Sequence, residues 1–111
     1  MKRLQFNKML FILLSYMVDD DVDFIIDYVL RSKEEQKRLF DKGLSKCDGT
    51  IKMSDHQKAQ AVDIYFVVND KIDFGFESPE AKDYAKKYHD LWVEMGGQPV
   101  IIWDLCHYSL R

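Results

Sequence analysis

Apolar residues at helical spacing open the chain. The stripe consists of Phe6, Met9, Leu10, Leu13 and Met17. A recurrence every three or four residues is typical of an amphipathic helix, so we predict one over residues 3–18. The acidic cluster Asp19–Asp23 ends the stripe and predicts a solvated loop. The next run, Phe24–Leu30, is rich in β-forming residues and favours a strand, with a continued helix as the alternative.

A second helix and a long loop are predicted in the middle of the chain. Ser32 and Glu35 form a capping box, and a helix is predicted from there to about Lys42, with Gly43 as its stop signal. Residues 44–60 show no periodicity. A stretch of that length without periodicity is typical of a functional loop, and an ordinary surface loop is the alternative.

The clearest predicted strand covers Ala61–Val68, because its residues are rich in strand formers with side chains that alternate between two faces. One face carries Ala61, Asp63, Tyr65 and Val67, and the other carries Val62, Ile64, Phe66 and Val68. Asn69-Asp70 predicts a turn, and Lys71–Phe74 is expected to pair back as a hairpin partner.

The last third of the chain begins with a strongly periodic helix. Ser78 is its predicted cap and Pro79 its first residue, and Gly96-Gly97 ends it. Its apolar stripe consists of Ala81, Tyr84, Ala85, Tyr88, Trp92 and Met95. Pro99–Trp103 and Leu105–Leu110 are then predicted as closing strand segments. The whole pattern predicts one α+β domain over residues 1–111, a small antiparallel sheet with helices packed on one side.

Composition narrows the class of protein. The 111 residues carry a formal charge of −3, which gives no electrostatic footprint for nucleic acid. The apolar run Met9–Leu14 is too short to span a membrane, and no small-residue cleavage site follows it. We therefore expect no membrane insertion and no cleaved signal.

The two cysteines, Cys47 and Cys106, are expected to be reduced thiols, with a bridge between them as the alternative.

Two histidines and two aspartates are candidates for chemistry. His56 precedes the Ala61–Val68 strand, Asp63 lies within it, and Asp104 and His107 lie near the chain's end. A buried carboxylate needs a partner, either an Arg or Lys side chain or a metal ion. Two imidazoles and one carboxylate form a catalytic type of zinc site. Asp104 is then the candidate general base, on a bend that lets it face the same pocket as His107, with a solvent-facing or supporting residue as the alternative.

The other two reactive side chains near these candidates are given structural roles. His89 lies in a helix among Lys86, Lys87 and Asp90, so we predict an exposed surface histidine. Cys106 adjoins His107 and is a conceivable nucleophile or ligand. In a strand it points away from His107, which favours packing in the core.

The spacing Ser54-x-His56-x-x-Ala59-x-Ala61-x-Asp63, followed by Asp104-x-x-His107, resembles the LAS-type zinc metallopeptidases. These include D-alanyl-D-alanine carboxypeptidases, VanX- and VanY-like peptidases and phage L-alanyl-D-glutamate endolysins. The upstream pattern resembles the phage-type members and reads Arg31-Ser-x-Glu34-Glu35-Gln36-x-x-Leu39-Phe40-x-x-Gly43-x-Ser45. The resemblance spans about residues 24–109 and implies a hedgehog/DD-peptidase-like fold.

The resemblance also implies roles for particular residues. One Zn²⁺ per chain is expected on His56, Asp63 and His107, with Asp104 as catalytic base. Arg31 is expected to polarise the substrate carbonyl, although a salt bridge to a nearby acid is the alternative. Ser54 and Gln36 are expected to line the substrate site.

The function implied is hydrolysis of peptidoglycan stem peptides, at L-Ala–D-Glu or near D-Ala, by a monomer. The protein is expected to be made in the cytoplasm and to act at the cell wall, as a phage or prophage lysin released through a holin does. The family usually has Gly at the position of Ala59. That departure motivates an alternative, a catalytically inactive zinc-stabilised binding module on the same fold. A metal-free interaction protein is a third possibility.

Overall fold

A computed structural model describes residues 2–27, 37–38, 41–42 and 60–110 of the chain. Within these ranges the order of elements is α1 (Lys2–Asp19), β1 (Phe24–Asp27), β2 (Ala61–Val68), β3 (Lys71–Ile72), α2 (Pro79–Glu94) and β4 (His107–Ser109). The described elements form an α+β fold in which two helices pack against a small antiparallel sheet of four strands. The fold class predicted from the sequence is therefore confirmed.

Strand β2 pairs with each of the other three strands. Ala61–Asp63 pairs with β4 and Asp63–Phe66 pairs with β1, so Asp63 is the residue of β2 that has a partner on both of these strands. Its end turns back into β3 through Asn69 and Asp70, which have φ values of 53° and 63°. Two consecutive left-handed residues are the signature of a type I′ hairpin turn. The predicted hairpin is thus confirmed, although its second strand is only two residues long.

The core lies between the helices and one face of β2. Val62, Ile64 and Phe66 are fully buried on that face. The ring of Phe66 lies 5.3 Å from that of Tyr84 and 6.0 Å from that of Tyr88, both on α2. Phe6, Met9, Leu13 and Met17 on α1 are also buried. The predicted apolar stripes of both helices therefore form the core, as burial of a helical stripe requires.

Helix α2 begins where the sequence predicts. The Ser78 hydroxyl accepts a hydrogen bond from the Ala81 amide at 3.1 Å, and Pro79 follows as the first helical residue. The Asp73 carboxylate supports this cap by accepting hydrogen bonds from the amides of Glu77 and Ser78 and from the Ser78 hydroxyl. These bonds hold the pKa of Asp73 below its usual value. The helix ends before Gly96, whose φ of 102° suits glycine.

The remaining predictions concern the middle helix, the segment Pro99–Trp103 and membrane spanning. Residues 37, 38 and 41 have helical backbone, while the rest of the predicted middle helix lies outside the described residues. The predicted strand over Pro99–Trp103 is wrong, because this segment is irregular and then turns. No helix within the described ranges is long and apolar enough to cross a membrane.

Candidate metal and catalytic site

Asp63 and His107 face each other across neighbouring strands. They are direct partners in the antiparallel register of β2 and β4, so their side chains project from the same face of the sheet. His107 Nδ1 lies 3.5 Å from Asp63 Oδ1, and the two side chains are only 13% and 12% exposed. Two residues 44 positions apart are thus brought together in a site that is mostly shielded from solvent.

The spacing of these two side chains fits a shared metal ion. With metal–ligand distances of about 2.0–2.2 Å, two ligands at tetrahedral corners lie about 3.3–3.5 Å apart. The distance from Asp63 Oδ1 to His107 Nδ1 agrees with that separation, and it is long for a direct hydrogen bond. Imidazole and carboxylate are both ordinary zinc ligands. The donor pair therefore fits zinc, while an ion pair with protonated His107 is the metal-free interpretation of the same contact.

The third implied ligand, His56, lies outside the described residues, as do Ser54, Arg31, Gln36 and Ala59. Among the residues that are described, no group of three or more His, Cys, Asp or Glu side chains is placed to hold a metal ion. The described part of the structure thus contains two of the three expected ligands, and the complete ligand set stays a prediction.

Asp104 lies on a bend just before β4. Its amide donates to the Ile101 carbonyl at 2.9 Å, and its own carbonyl accepts from the His107 amide at 3.1 Å. Asp104 therefore ends one turn and begins the next, so it is not part of the strand. This is the bend that the sequence predicted from the three-residue offset between Asp104 and His107. The turn places the Asp104 carboxylate beside the Cys106 side chain, one residue before β4.

The Cys106 side chain lies among the polar groups of this region. Its thiol donates to Asp104 Oδ1 at 3.2 Å and lies 3.5 Å from the Tyr65 hydroxyl. Burial, followed by the negative charge of Asp63, raises the pKa of this thiol well above its ordinary value. A neutral thiol is a poor nucleophile and a poor metal ligand. Cys106 is buried, so the prediction that it packs is confirmed, although it lies in the turn before β4 and not in a strand.

Asp27 is a carboxylate that the sequence analysis did not single out. It pairs with Asp63 in the register of β1 and β2, on the side of Asp63 away from His107. Asp27, Asp63 and His107 thus form one row across three strands on the same sheet face. Asp27 is the last residue of β1, and only the pairing of β1 with β2 brings it opposite Asp63. Sequence alone does not provide that pairing.

His89 is buried, so the prediction of a surface histidine is wrong. The residue is 2% exposed, and its Nε2 lies 2.7 Å from the Leu105 carbonyl. Because a carbonyl accepts, Nε2 carries the proton. The ring also stacks on Tyr108 with centroids 4.0 Å apart and planes 3° from parallel. His89 therefore contacts the segment between Asp104 and His107 from the core side.

A signal for the burial of His89 is present in the sequence. His89 lies four residues after Ala85 and three before Trp92, so it belongs to the apolar stripe of α2. Its charged neighbours Lys86 and Asp90 lie on the adjacent face and form an exposed ion pair at 3.7 Å. Helical periodicity was thus a better guide than the chemical character of adjacent residues.

Comparisons with known proteins add no relative. No protein-family model matches the chain, and no curated protein matches it. The resemblance to zinc peptidases therefore stays a prediction that depends on the motif residues.

Proposed function

We propose that this protein is a zinc-dependent peptidase that hydrolyses peptide bonds of peptidoglycan stem peptides. The observation that supports the proposal is the placement of Asp63 and His107 as cross-strand partners 3.5 Å apart, with Asp104 on the bend before His107. The motif assigns zinc binding to the first two residues and base catalysis to the third. The choice of substrate class comes from the resemblance of the motif and is the part that the experiment must test first.

Each residue in the proposed site has a distinct task. Asp63, His107 and His56 would hold the zinc ion, which when bound polarises a carbonyl and lowers the pKa of a water molecule. Asp104 would accept the proton of the attacking water and deliver it to the leaving amine as the C–N bond breaks. Arg31 would stabilise the negative charge that develops on the carbonyl oxygen. Ser54 and Gln36 would orient the peptide.

The test compares wild-type protein with Asp104→Asn on purified peptidoglycan, with the released peptides identified by mass spectrometry. The variant keeps the size of the side chain and removes its basicity. We expect its hydrolysis rate to fall by about 10²–10⁴-fold, while the protein still binds one zinc ion per chain. Asp90→Asn is the matched control, because Asp90 is an exposed aspartate on α2 and its variant should retain full activity.

Three outcomes would contradict the proposal. A wild-type rate for Asp104→Asn would remove Asp104 from catalysis. If wild-type protein binds zinc but cleaves no muropeptide, and Asp104→Asn is unchanged in every property, the catalytically inactive binding module replaces the peptidase. Protein that binds no zinc at all would instead favour a metal-free interaction protein.

A further inference from the structure

Helix α1 has a second apolar stripe on the side away from the core. Leu4, Phe11 and Val18 are 50%, 73% and 65% exposed. Residues seven apart lie almost one above another on a helix, with a drift of only about 20° per heptad. The three side chains therefore form a line along the outer face of α1, about 21 Å from end to end. A line of large apolar side chains in water typically marks an interaction surface.

The spacing of this outer stripe is symmetric about its middle residue. Leu4 and Val18 each lie seven residues from Phe11, which is close to the midpoint of Lys2–Asp19. If two copies of α1 pack antiparallel about a twofold axis at Phe11, Leu4 of each copy lies level with Val18 of the other. Phe11 of one copy then lies level with Phe11 of the other. A self-complementary pattern of this kind is what an isologous dimer contact requires.

The charges of α1 favour the same arrangement. Its N-terminal half carries the exposed cations Lys2, Arg3 and Lys8, and exposed Asp19 and Asp21 lie at its C-terminal end. The first turn contains no acidic residue and the last turn no basic one, so the charged ends reinforce the helix dipole where most helices offset it. In an antiparallel pair, each basic end lies beside the acidic end of the other copy. That placement turns an unfavourable charge pattern within one helix into attraction between two.

The surface next to the stripe is concave. A shallow apolar groove of about 340 Å³ lies beside α1 and includes Leu4, Ile12 and Met95 in its walls. Ile12 in the groove wall and Tyr16, one turn further along the helix, are 44% and 50% exposed. The apolar surface thus extends beyond a single line of side chains and provides space for side chains of a second helix.

We infer that α1 is a homodimer contact in which two copies of this chain pack their α1 helices antiparallel, centred on Phe11. The family resemblance implied a monomer, whereas the exposed outer stripe of α1 points to a dimer. A single pair of helices forms a small interface, so the dimer is a weak one, in the class below about 1,200 Å². It does not rest on the proposed peptidase function, because none of the proposed site residues lies on α1.

Cross-linking tests the contact and its direction. In a Cys47→Ser background, Phe11→Cys is expected to form a covalent dimer with a short bismaleimide linker. Leu4→Cys mixed with Val18→Cys is expected to form a heterodimer, whereas Leu4→Cys by itself is expected to stay monomeric. A parallel pair would give the reverse result for the last two samples and would overturn the proposed arrangement. The background protein is the control, since its remaining thiol, Cys106, is buried.

Sedimentation equilibrium tests the association without a linker. Wild-type protein is expected to shift from 13.2 kDa towards twice that mass as its concentration rises, and Phe11→Ser is expected to weaken the dimer at least tenfold. Phe74→Ser is the matched control, because Phe74 is 63% exposed on another surface and should leave the association unchanged. Circular dichroism checks that each variant folds.

Each of three results overturns the inference. The first is a wild-type dissociation constant weaker than about 1 mM. The second is equal association of wild-type protein and Phe11→Ser, which would place the contact elsewhere. Binding of wild-type monomer to anionic phospholipid vesicles, lost in Phe11→Ser, would assign the stripe to a lipid surface and would also overturn it.

Discussion

His89 shows how one buried side chain connects the core to the proposed site. The Leu105 carbonyl that it contacts lies in the turn between Asp104 and His107. The ring of Tyr108, against which His89 stacks, follows His107 directly. A helix residue thus limits the movement of the segment that carries both the proposed base and a proposed ligand. Its contribution to the proposed site is therefore one of positioning.

We expect His89→Leu to destabilise the protein by about 1–3 kcal/mol at pH 7.5, because the Leu105 carbonyl loses its donor in a buried position. His89→Gln keeps an N–H donor and should lose less. Urea unfolding measures both values. If the two variants were equally stable, the hydrogen bond to Leu105 would have no measurable role.

The same residue predicts a pH dependence. Burial lowers the pKa of His89 below its ordinary value of 6.5, and the hydrogen bond to Leu105 offsets only part of that effect. Below pH 6.5 the unfolded chain therefore binds a proton that the folded chain does not. The free energy of unfolding should therefore decrease as the pH is lowered below 6.5, by up to about 1.4 kcal/mol per pH unit. His89→Leu should lack this component, and an unchanged pH dependence in the variant would contradict it.

At the scale of elements, the sequence predicted those whose periodicity matches their burial. Helices α1 and α2 and strand β2 each bury one face against the core. Their hydrophobic periodicity therefore predicts the type of each element correctly. The failure over Pro99–Trp103 has a physical cause. Ile102 and Trp103 are 82% and 80% exposed at the tip of the turn that Asp104 closes. An apolar run that the fold leaves exposed looks the same in the sequence as a buried strand.

Gly97 is the point at which α2 and β4 meet most closely. Its amide donates to the Trp92 carbonyl at 2.8 Å, and it pairs with Leu110 beyond the end of β4. A Cβ atom at this position would lie 2.1 Å from the Trp92 ring, which is fully buried and donates through Nε1 to the Ser109 carbonyl. A side chain at Gly97 must therefore displace the indole ring or β4.

Gly97→Ala should cost about 1–3 kcal/mol through overpacking and should also weaken zinc binding, because it disturbs the strand that carries His107. Gly96→Ala is the control. Its Cβ meets no atom within 4 Å, and only the positive φ of 102° opposes it, at a cost of roughly 1–2 kcal/mol. Thermal unfolding and zinc titration of both variants separate the two effects. Equal zinc affinity in wild type and Gly97→Ala would show that β4 does not depend on this contact.

At the scale of the whole molecule, the candidate site depends on tertiary structure in a way that local pattern does not reveal. The motif named Asp63, Asp104 and His107, but only the pairing of β2 with β4 brings Asp63 to His107. The same sheet adds Asp27 through β1. The sequence predicted the residues that belong to a recognisable motif. It missed Asp27 and His89, because their positions near the candidate site depend on which elements pack together.

Because the proposed ligands come from separate segments, zinc should stabilise the folded chain as a whole. Zinc at 100 times its dissociation constant should add about 2.7 kcal/mol, which corresponds to a rise in Tm of roughly 10 °C for a domain of this size. Differential scanning calorimetry with zinc and with a chelator measures the rise. Asp63→Asn and His107→Ala should lose most of it, whereas Asp104→Asn should keep it, since Asp104 is the proposed base and binds no metal. An equal rise in His107→Ala and wild type would place the metal elsewhere, because zinc cannot then depend on the strand pair that brings His107 to Asp63.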